Sequence, residues 1–152
     1  MIAVIQRIQS ATVYADGVLS GRVGAGLYIL LGVGVEDTQR DAELLAAKIK
    51  KLRIFTDDNG KMNLSVMDVG GEVMVVSNFT LYANYAHGNR PDYLRSARPE
   101  QAIPLYERFI ALMKEDISSV STGKFGADMR TELVTDGPVT IVMDSAVLIK
   151  NK

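Results

Sequence analysis

"MIAVIQRIQSATVYADG", residues 1–17, is the stretch on which the fold reading turns. Ile2 and Val4, then Ile8, Ala11 and Val13 after a change of register, lie on apolar stripes with the period of two that marks a strand. Asp16-Gly17 ends the run with the dipeptide preferred in a tight hairpin turn. "VLSGRVGAG" then reads as a short return strand, and "LYILLGVGV" is so uniformly apolar that it predicts a strand with no wet face. The N-terminal quarter is expected to be a β-meander.

The pattern changes after Thr38, a candidate N-cap. Ala42, Leu45, Ala46, Ile49 and Leu52 recur at spacings of three and four, which predicts an amphipathic helix with its lysines toward the C-terminal end. "TDDNGKMN" is turn chemistry, and "DVGG" introduces "EVMVVSNFTLYA", whose first half is a strand. The polar, aromatic segment "NYAHGNRPDYLRSARPE" reads as a loop long enough to be functional. Ile103, Tyr106, Phe109, Ile110 and Met113 predict a second helix with Pro104 in its first or second turn. "GKFGADMRTELVTDGPVTIVMDS" supplies two final strands separated by Gly137-Pro138. The whole, residues 1–152, is expected to be a single α+β domain. A mostly antiparallel sheet curls toward a barrel under two covering helices.

Composition narrows the chemistry. At 47% hydrophobic and 23% charged, the 152 residues match a compact globular domain. No cysteine is present, which excludes disulfides, thiolate metal sites and a Cys nucleophile. His87 is the one histidine, so a Ser-His-Asp triad or a multi-His zinc site has little to build on, and no cofactor or metal is expected. The N-terminus lacks the h-region of a signal peptide and no run is long enough to span a bilayer, so the chain reads as cytosolic, with no membrane partner. With a net charge of -1, any nucleic-acid contact must come from a local basic patch.

Several motifs admit both a chemical and a structural reading. In "SNFTLY", residues 77–82, Ser77, Asn78 and Thr80 interrupt the end of a buried strand just before the long loop. A rigid sheet could present catalytic groups there, or the side chains could merely satisfy backbone groups where the strand ends. His87 has no carboxylate at a spacing that would orient it as a base. Arg90, Arg95 and Arg98, with Lys124 and Arg130 later in the chain, are interleaved with Tyr82, Tyr85 and Tyr93. That mixture could grip phosphates and stack unpaired bases, or be ordinary solvated surface. "GRVGAG" is followed by a strand rather than a helix, which excludes a dinucleotide fingerprint. Gly137-Pro138, read alone, is a turn before a strand.

Taken together, "AVIQRI", "LLGV", "LRIFTDDNGKMNLS", "DVGGEVMVVSNFTLYA", "GKFGADM" and "DGPVT" occur in an order, over nearly the whole chain, that strongly resembles the D-aminoacyl-tRNA deacylases. The resemblance implies a homodimeric α+β fold that hydrolyses the ester joining a D-amino acid, or glycine mischarged on tRNA-Ala, to the 3′ acceptor end of tRNA. DNA is not an implied partner. The family's Ser-Gln-x-Thr signature aligns with Ser77, Asn78, Phe79 and Thr80, and its Asn-x-x-Pro-x-Thr signature with Thr135, Asp136, Gly137, Pro138, Val139 and Thr140. Asn78 replaces the usual Gln and Thr135 the usual Asn.

The resemblance further implies that the Gly137-Pro138 bond is cis and that each subunit inserts this motif into its partner's active site, where a rigid wall excludes L side chains. Asn78, Phe79, Thr135, Gly137, Pro138 and Thr140 are then expected to contact substrate, with Phe125 and Met129 lining the cavity. Ser77 and Thr80 are the expected catalytic residues, Thr80 by ordering water or substrate. The terminal 2′-OH of the tRNA is an alternative agent, and backbone N–H groups near Phe79 and Thr80 are expected to hold the oxyanion. Two other functions fit the same residues less closely. One is an editing deacylase that accepts a small L-amino acid, and the other is a non-enzymatic tRNA-binding module.

Overall fold

The computed structural model describes residues 1–150. Its spine is β1 (Ile2–Ala15), which turns at Asp16 and Gly17, both at positive φ, into β2 (Val18–Val23) and then β3 (Gly26–Gly32). Both return strands run antiparallel to β1. β2 pairs with its Ala11–Ala15 end and β3 with its Ile2–Ile8 end. The expected meander is therefore one long hairpin whose return arm breaks at Gly24-Ala25. The glycine-rich "GAG" lets the arm kink without leaving its partner.

α1 (Gln39–Lys50) begins at Thr38 as expected, with the Thr38 N–H and hydroxyl both donating to Asp41 Oδ2 at 2.9 Å. Leu52 lies just beyond its end. β4 (Phe55–Thr56) and β5 (Met62–Leu64) form a small hairpin around Asp57, whose carboxylate accepts from the Asn59 and Lys61 N–H groups. β6 (Glu72–Ser77) runs parallel to β3, so Ser77 sits beside Leu31. A 3₁₀ turn follows (Phe79–Tyr82), then the long loop and α2 (Pro99–Lys114), with Pro104 in its second turn. β7 (Val120–Thr122) joins β6 in parallel, and β8 (Met129–Asp144) pairs antiparallel with β1 on either side of residues 136–139. A short α3 (Ser145–Lys150) is a third helix beyond the two expected. It packs on α1, and the Ser145 hydroxyl donates to Asp41 Oδ1 at 2.6 Å.

The result is the expected α+β fold: a nearly closed, barrel-like sheet, mostly antiparallel, with few helices. Its two faces bury separate cores. Ala3, Ile5, Leu27, Ile29, Leu31, Val73 and Val75 face the helices, meeting Leu45, Ile49, Phe109 and Met113. Ile8, Ala11, Val13, Val23, Tyr28, Met74 and Val76 fill the inside of the curl. The register change expected in β1 is real: the pairing with β8 shifts between Ile8 and Ser10, which carries the apolar stripe from Ile8 to Ala11 on one face. Ala3 and Ile5, rather than Ile2 and Val4, are the fully buried residues at the strand's start.

The last stretch differs from expectation in one respect that matters for the site. Gly137-Pro138 does not separate two strands but interrupts one. Between the pairs Gln6↔Thr140 and Ile8↔Thr135, five steps of β8 face two steps of β1. Residues 136–139 are therefore thrown out of the ladder as a protruding bulge.

Candidate active site

The site is built where β6 ends. Its parallel pairing with β3 carries Ser77 to the sheet rim, and Asn78 then starts the 3₁₀ turn. The Asn78 carboxamide oxygen accepts from the Thr80 N–H at 3.2 Å and from the Thr80 hydroxyl. This is N-capping, which an Asn side chain does well. The turn packs closely on the end of β3 because that end is glycine. A Cβ at Gly34 would lie 2.7 Å from the Tyr82 ring, and one at Gly32 would lie 3.0 Å from the Asn78 carbonyl. Tyr82 is fixed in turn by its hydroxyl, which donates to Asp37 Oδ2 at 3.0 Å. Asp37 also accepts from the Gly34 N–H at 2.6 Å and from the Met1 ammonium at 2.6 Å. Burial, and then the Asp37 charge, push the Tyr82 phenol well above its usual range, so it stays a neutral donor.

Beside this turn lies a cavity of about 360 Å³, a volume typical of a small-ligand site. Ser77, Asn78 and Phe79 form one wall, and Phe125 and Met129 another, so the structure brings five of the expected site residues together. Tyr28, Leu30, Tyr106 and Thr131 are among the other lining residues and were not anticipated. They are core-type residues in strands and a helix, and nothing in their spacing distinguishes them from ordinary packing. Tyr106 meets Phe125 edge-on at 5.8 Å between ring centroids and donates its hydroxyl to the Val75 carbonyl at 3.1 Å. The Tyr28 hydroxyl shares a 3.2 Å hydrogen bond with Thr131.

The lining contains no Asp, Glu, His, Lys or Arg. Its two ionisable groups, Tyr28 and Tyr106, are both pushed upward by burial, so neither offers a base at neutral pH. His87 is exposed on the loop and is not among the lining residues. Among the described residues there is also no group of three acidic, His or Cys side chains able to hold a metal ion. Such a cavity can bind, orient and exclude, but it has no strong protein acid or base with which to attack.

Thr80 does not line the cavity, and its hydroxyl is committed to Asn78. Thr135, Gly137, Pro138 and Thr140 lie elsewhere, exposed on the β8 bulge. Counted across three strand spacings and about four residues along the sheet, the bulge is roughly 20 Å from Ser77. The Gly137-Pro138 bond is cis, and Gly137 has φ of 138°. Arg7 anchors the bulge. Its Nε donates to the Asp136 carbonyl at 3.2 Å and lies 3.1 Å from the Asp136 carboxylate, while its Nη1 donates to the Ile54 carbonyl at 2.7 Å. Arg7 was also not anticipated, although it faces the bulge from the middle of an apolar strand.

The sequence model of the family described as D-Tyr-tRNA(Tyr) deacylase matches residues 4–144. The chain belongs to that family. Among its relatives are D-aminoacyl-tRNA deacylases of Parabacteroides distasonis, 52% identical over 95% of this chain and 97% of the relative, and of Cytophaga hutchinsonii, 51% identical over 100% and 99%. A solved structure named c-Myc DNA Unwinding Element Binding Protein is 39% identical, with a TM-score of 0.89 covering 95% of this chain and 98% of that one. A probable eukaryotic D-amino acid tRNA deacylase shares the fold at 15% identity, with a TM-score of 0.77 over 93% and 97%. As a D-aminoacyl-tRNA deacylase, the chain is a hydrolase of the aminoacyl-tRNA ester bond.

Proposed function

We propose that the deacylase acts as a chiral filter, hydrolysing D-aminoacyl-tRNA and glycyl-tRNA, including glycine mischarged on tRNA-Ala, while rejecting L-aminoacyl esters. The observation that carries this reading is a cavity without an acid or base beside the family's first signature, with the second signature projected away from it. An aminoacyl ester is already activated, so fixing it against a water or against the tRNA's own 2′-OH supplies much of the rate. At the start of the 3₁₀ turn the Phe79 N–H is a donor for the oxyanion, as the first N–H groups of a helix lack intrahelical partners. The Thr80 N–H already donates to Asn78 and reaches an oxyanion only by leaving it. The Thr80 hydroxyl donates to Asn78 as well, so its lone pairs are left to accept from a water or from the substrate amine. Ser77 lines the wall beside it.

In this reading the filter is supplied by a second copy of the chain. Leu30, Val4 and Val142 form a cross-strand apolar row, and Val142 is 70% exposed. Leu30 also lines the cavity, so a partner seated on this row borders it. The partner's Thr135–Thr140 bulge would then complete the site, with Gly137, Pro138, Thr135 and Thr140 facing substrate. A backbone wall that blocks one face of the α-carbon admits hydrogen there, which is why glycine passes with D-residues. We place this activity in the cytoplasm, where tRNA is charged. No described helix is long and apolar enough to cross a membrane. Incubation with D-Tyr-, L-Tyr- and Gly-tRNA tests the reading: the first and third should be hydrolysed and the second spared. Tight tRNA binding without hydrolysis would favour a binding module instead.

A further inference from the structure

We propose that the loop between the 3₁₀ turn and α2 is a platform for the unpaired nucleotides that precede the terminal, aminoacylated one. This rests on the deacylation reading and adds to it where the rest of the RNA strand lies. The cavity is about 360 Å³, at the low end for ligand pockets, so it takes the aminoacyl end and leaves the upstream nucleotides outside.

The loop is a built surface. Asn84 and Asp92 pair through both backbone hydrogen bonds, at 2.9 and 3.0 Å, and Asn84 Nδ2 donates to Asp92 Oδ2 at 2.9 Å. Farther on, the Val35 N–H donates to the Arg95 carbonyl and the Ala97 N–H to the Val33 carbonyl, which ties the loop to the end of β3. From this frame Tyr85 and Leu94 project into solvent at 78% and 84% exposure. Tyr93 meets Phe79 edge-on at 5.0 Å between centroids, and Phe79, Ser96 and Ala97 line the cavity. The Phe79–Tyr93 contact therefore joins the cavity rim to the loop.

Its charge suits a nucleic-acid strand. Arg90, Arg95 and Arg98 are exposed in the same segment as the apolar side chains, Arg95 lying 5.9 Å from the Tyr82 ring centroid, on a chain whose net charge is -1. The one carboxylate in the loop, Asp92, is occupied by Asn84 and by the Leu94 N–H. Exposed aromatic rings beside arginines are what unpaired bases and their phosphates need: a face to stack on and cations along the backbone. A duplex offers no free base faces, so the geometry selects a single-stranded end.

The test compares D-Tyr-tRNA with the D-tyrosyl ester of adenosine, which lacks upstream nucleotides. Tyr85→Ala is expected to raise KM for the tRNA roughly tenfold, as for loss of one stacked base. It should leave kcat, and kcat/KM on the adenosine ester, unchanged, and Tyr85→Phe should keep the wild-type KM. Arg90→Ala should raise KM for the tRNA and lower the slope of log KM against log salt by about 0.7. Unchanged tRNA KM in both alanine variants, or equal losses on tRNA and ester, would overturn the platform while leaving deacylation intact. A wild-type protein inert toward both D-substrates would overturn the deacylation reading and the platform with it.

Discussion

Replacing Arg7 by Met probes the link between the β8 bulge and the rest of the fold. The methionine keeps most of the aliphatic stem but removes the guanidinium, and with it the hydrogen bonds to the Asp136 and Ile54 carbonyls at 3.2 and 2.7 Å. Hydrogen bonds from a charged donor contribute about 1.5–3 kcal/mol each. The contact with the Asp136 carboxylate, nearly half exposed, adds at most about 1 kcal/mol. Water reaches part of this region and offsets some of the loss, which leaves an expected destabilisation of about 2–4 kcal/mol. In urea that shifts the unfolding midpoint down by roughly 1–2 M. Arg7→Lys keeps the charge but cannot span both carbonyls, and should fall between wild type and Met. Because the bulge is the proposed chiral wall, the ratio of D-Tyr-tRNA to L-Tyr-tRNA hydrolysis should fall at least about tenfold in Arg7→Met, equal to about 1.4 kcal/mol of discrimination. An Arg7→Met protein with wild-type stability and wild-type discrimination would refute the anchoring role.

Other expectations follow from the same contacts. Gly34→Ala puts a Cβ 2.7 Å from the Tyr82 ring and should cost about 1–3 kcal/mol while displacing the 3₁₀ turn, seen as a loss of kcat in deacylation assays. Thr80→Ala should lower kcat by about tenfold or more and Thr80→Ser should restore it, since a positioned hydrogen-bonding group acts on the transition state. Equal rates in all three proteins would remove the hydroxyl from the mechanism. Tyr28 and Tyr106 both have phenols raised above the ordinary value of 10.0, so folding holds their protons. That contribution is whole below about pH 10 and is lost as pH climbs toward the folded values. Thermal stability should therefore fall as pH rises from about 10 to 12, by less in Tyr106→Phe. A Tm flat across that range would contradict the assignment.

β1, β2, β3, β6 and the two larger helices were legible because their patterns are local, whereas the short strands β4, β5 and β7 carry too little pattern to be read from sequence. β1 announces itself by alternation and its Asp16-Gly17 turn, and α1 by its spacing of three and four after Thr38. What the pattern could not show is which edge a strand uses. β2 and β3 share one edge of β1, and that follows from the kink at Gly24-Ala25 rather than from either strand's composition. The bulge was hidden for the same reason. Gly137-Pro138 read as a turn because that pair does break regular structure, but only the register of β1 against β8 shows a protrusion within one strand.

The candidate site was partly legible. Ser77, Asn78 and Phe79 stood out as polar and aromatic residues ending a buried strand, and they do line the cavity. Tyr28, Tyr106 and Thr131 did not, since a cavity wall and a core use the same side chains. Gly32 and Gly34 looked like ordinary features of an apolar strand. Their role depends on the 3₁₀ turn lying against them, a contact made across more than forty residues of chain.

A cavity without an acid or base is proposed to hydrolyse an activated ester and to choose by shape. That proposal is tested most directly by measuring, with one enzyme preparation, the hydrolysis of D-Tyr-tRNA, L-Tyr-tRNA and Gly-tRNA. Turnover of the D and glycyl esters with the L ester left intact is the expected result. Equal rates on the D and L esters would contradict it.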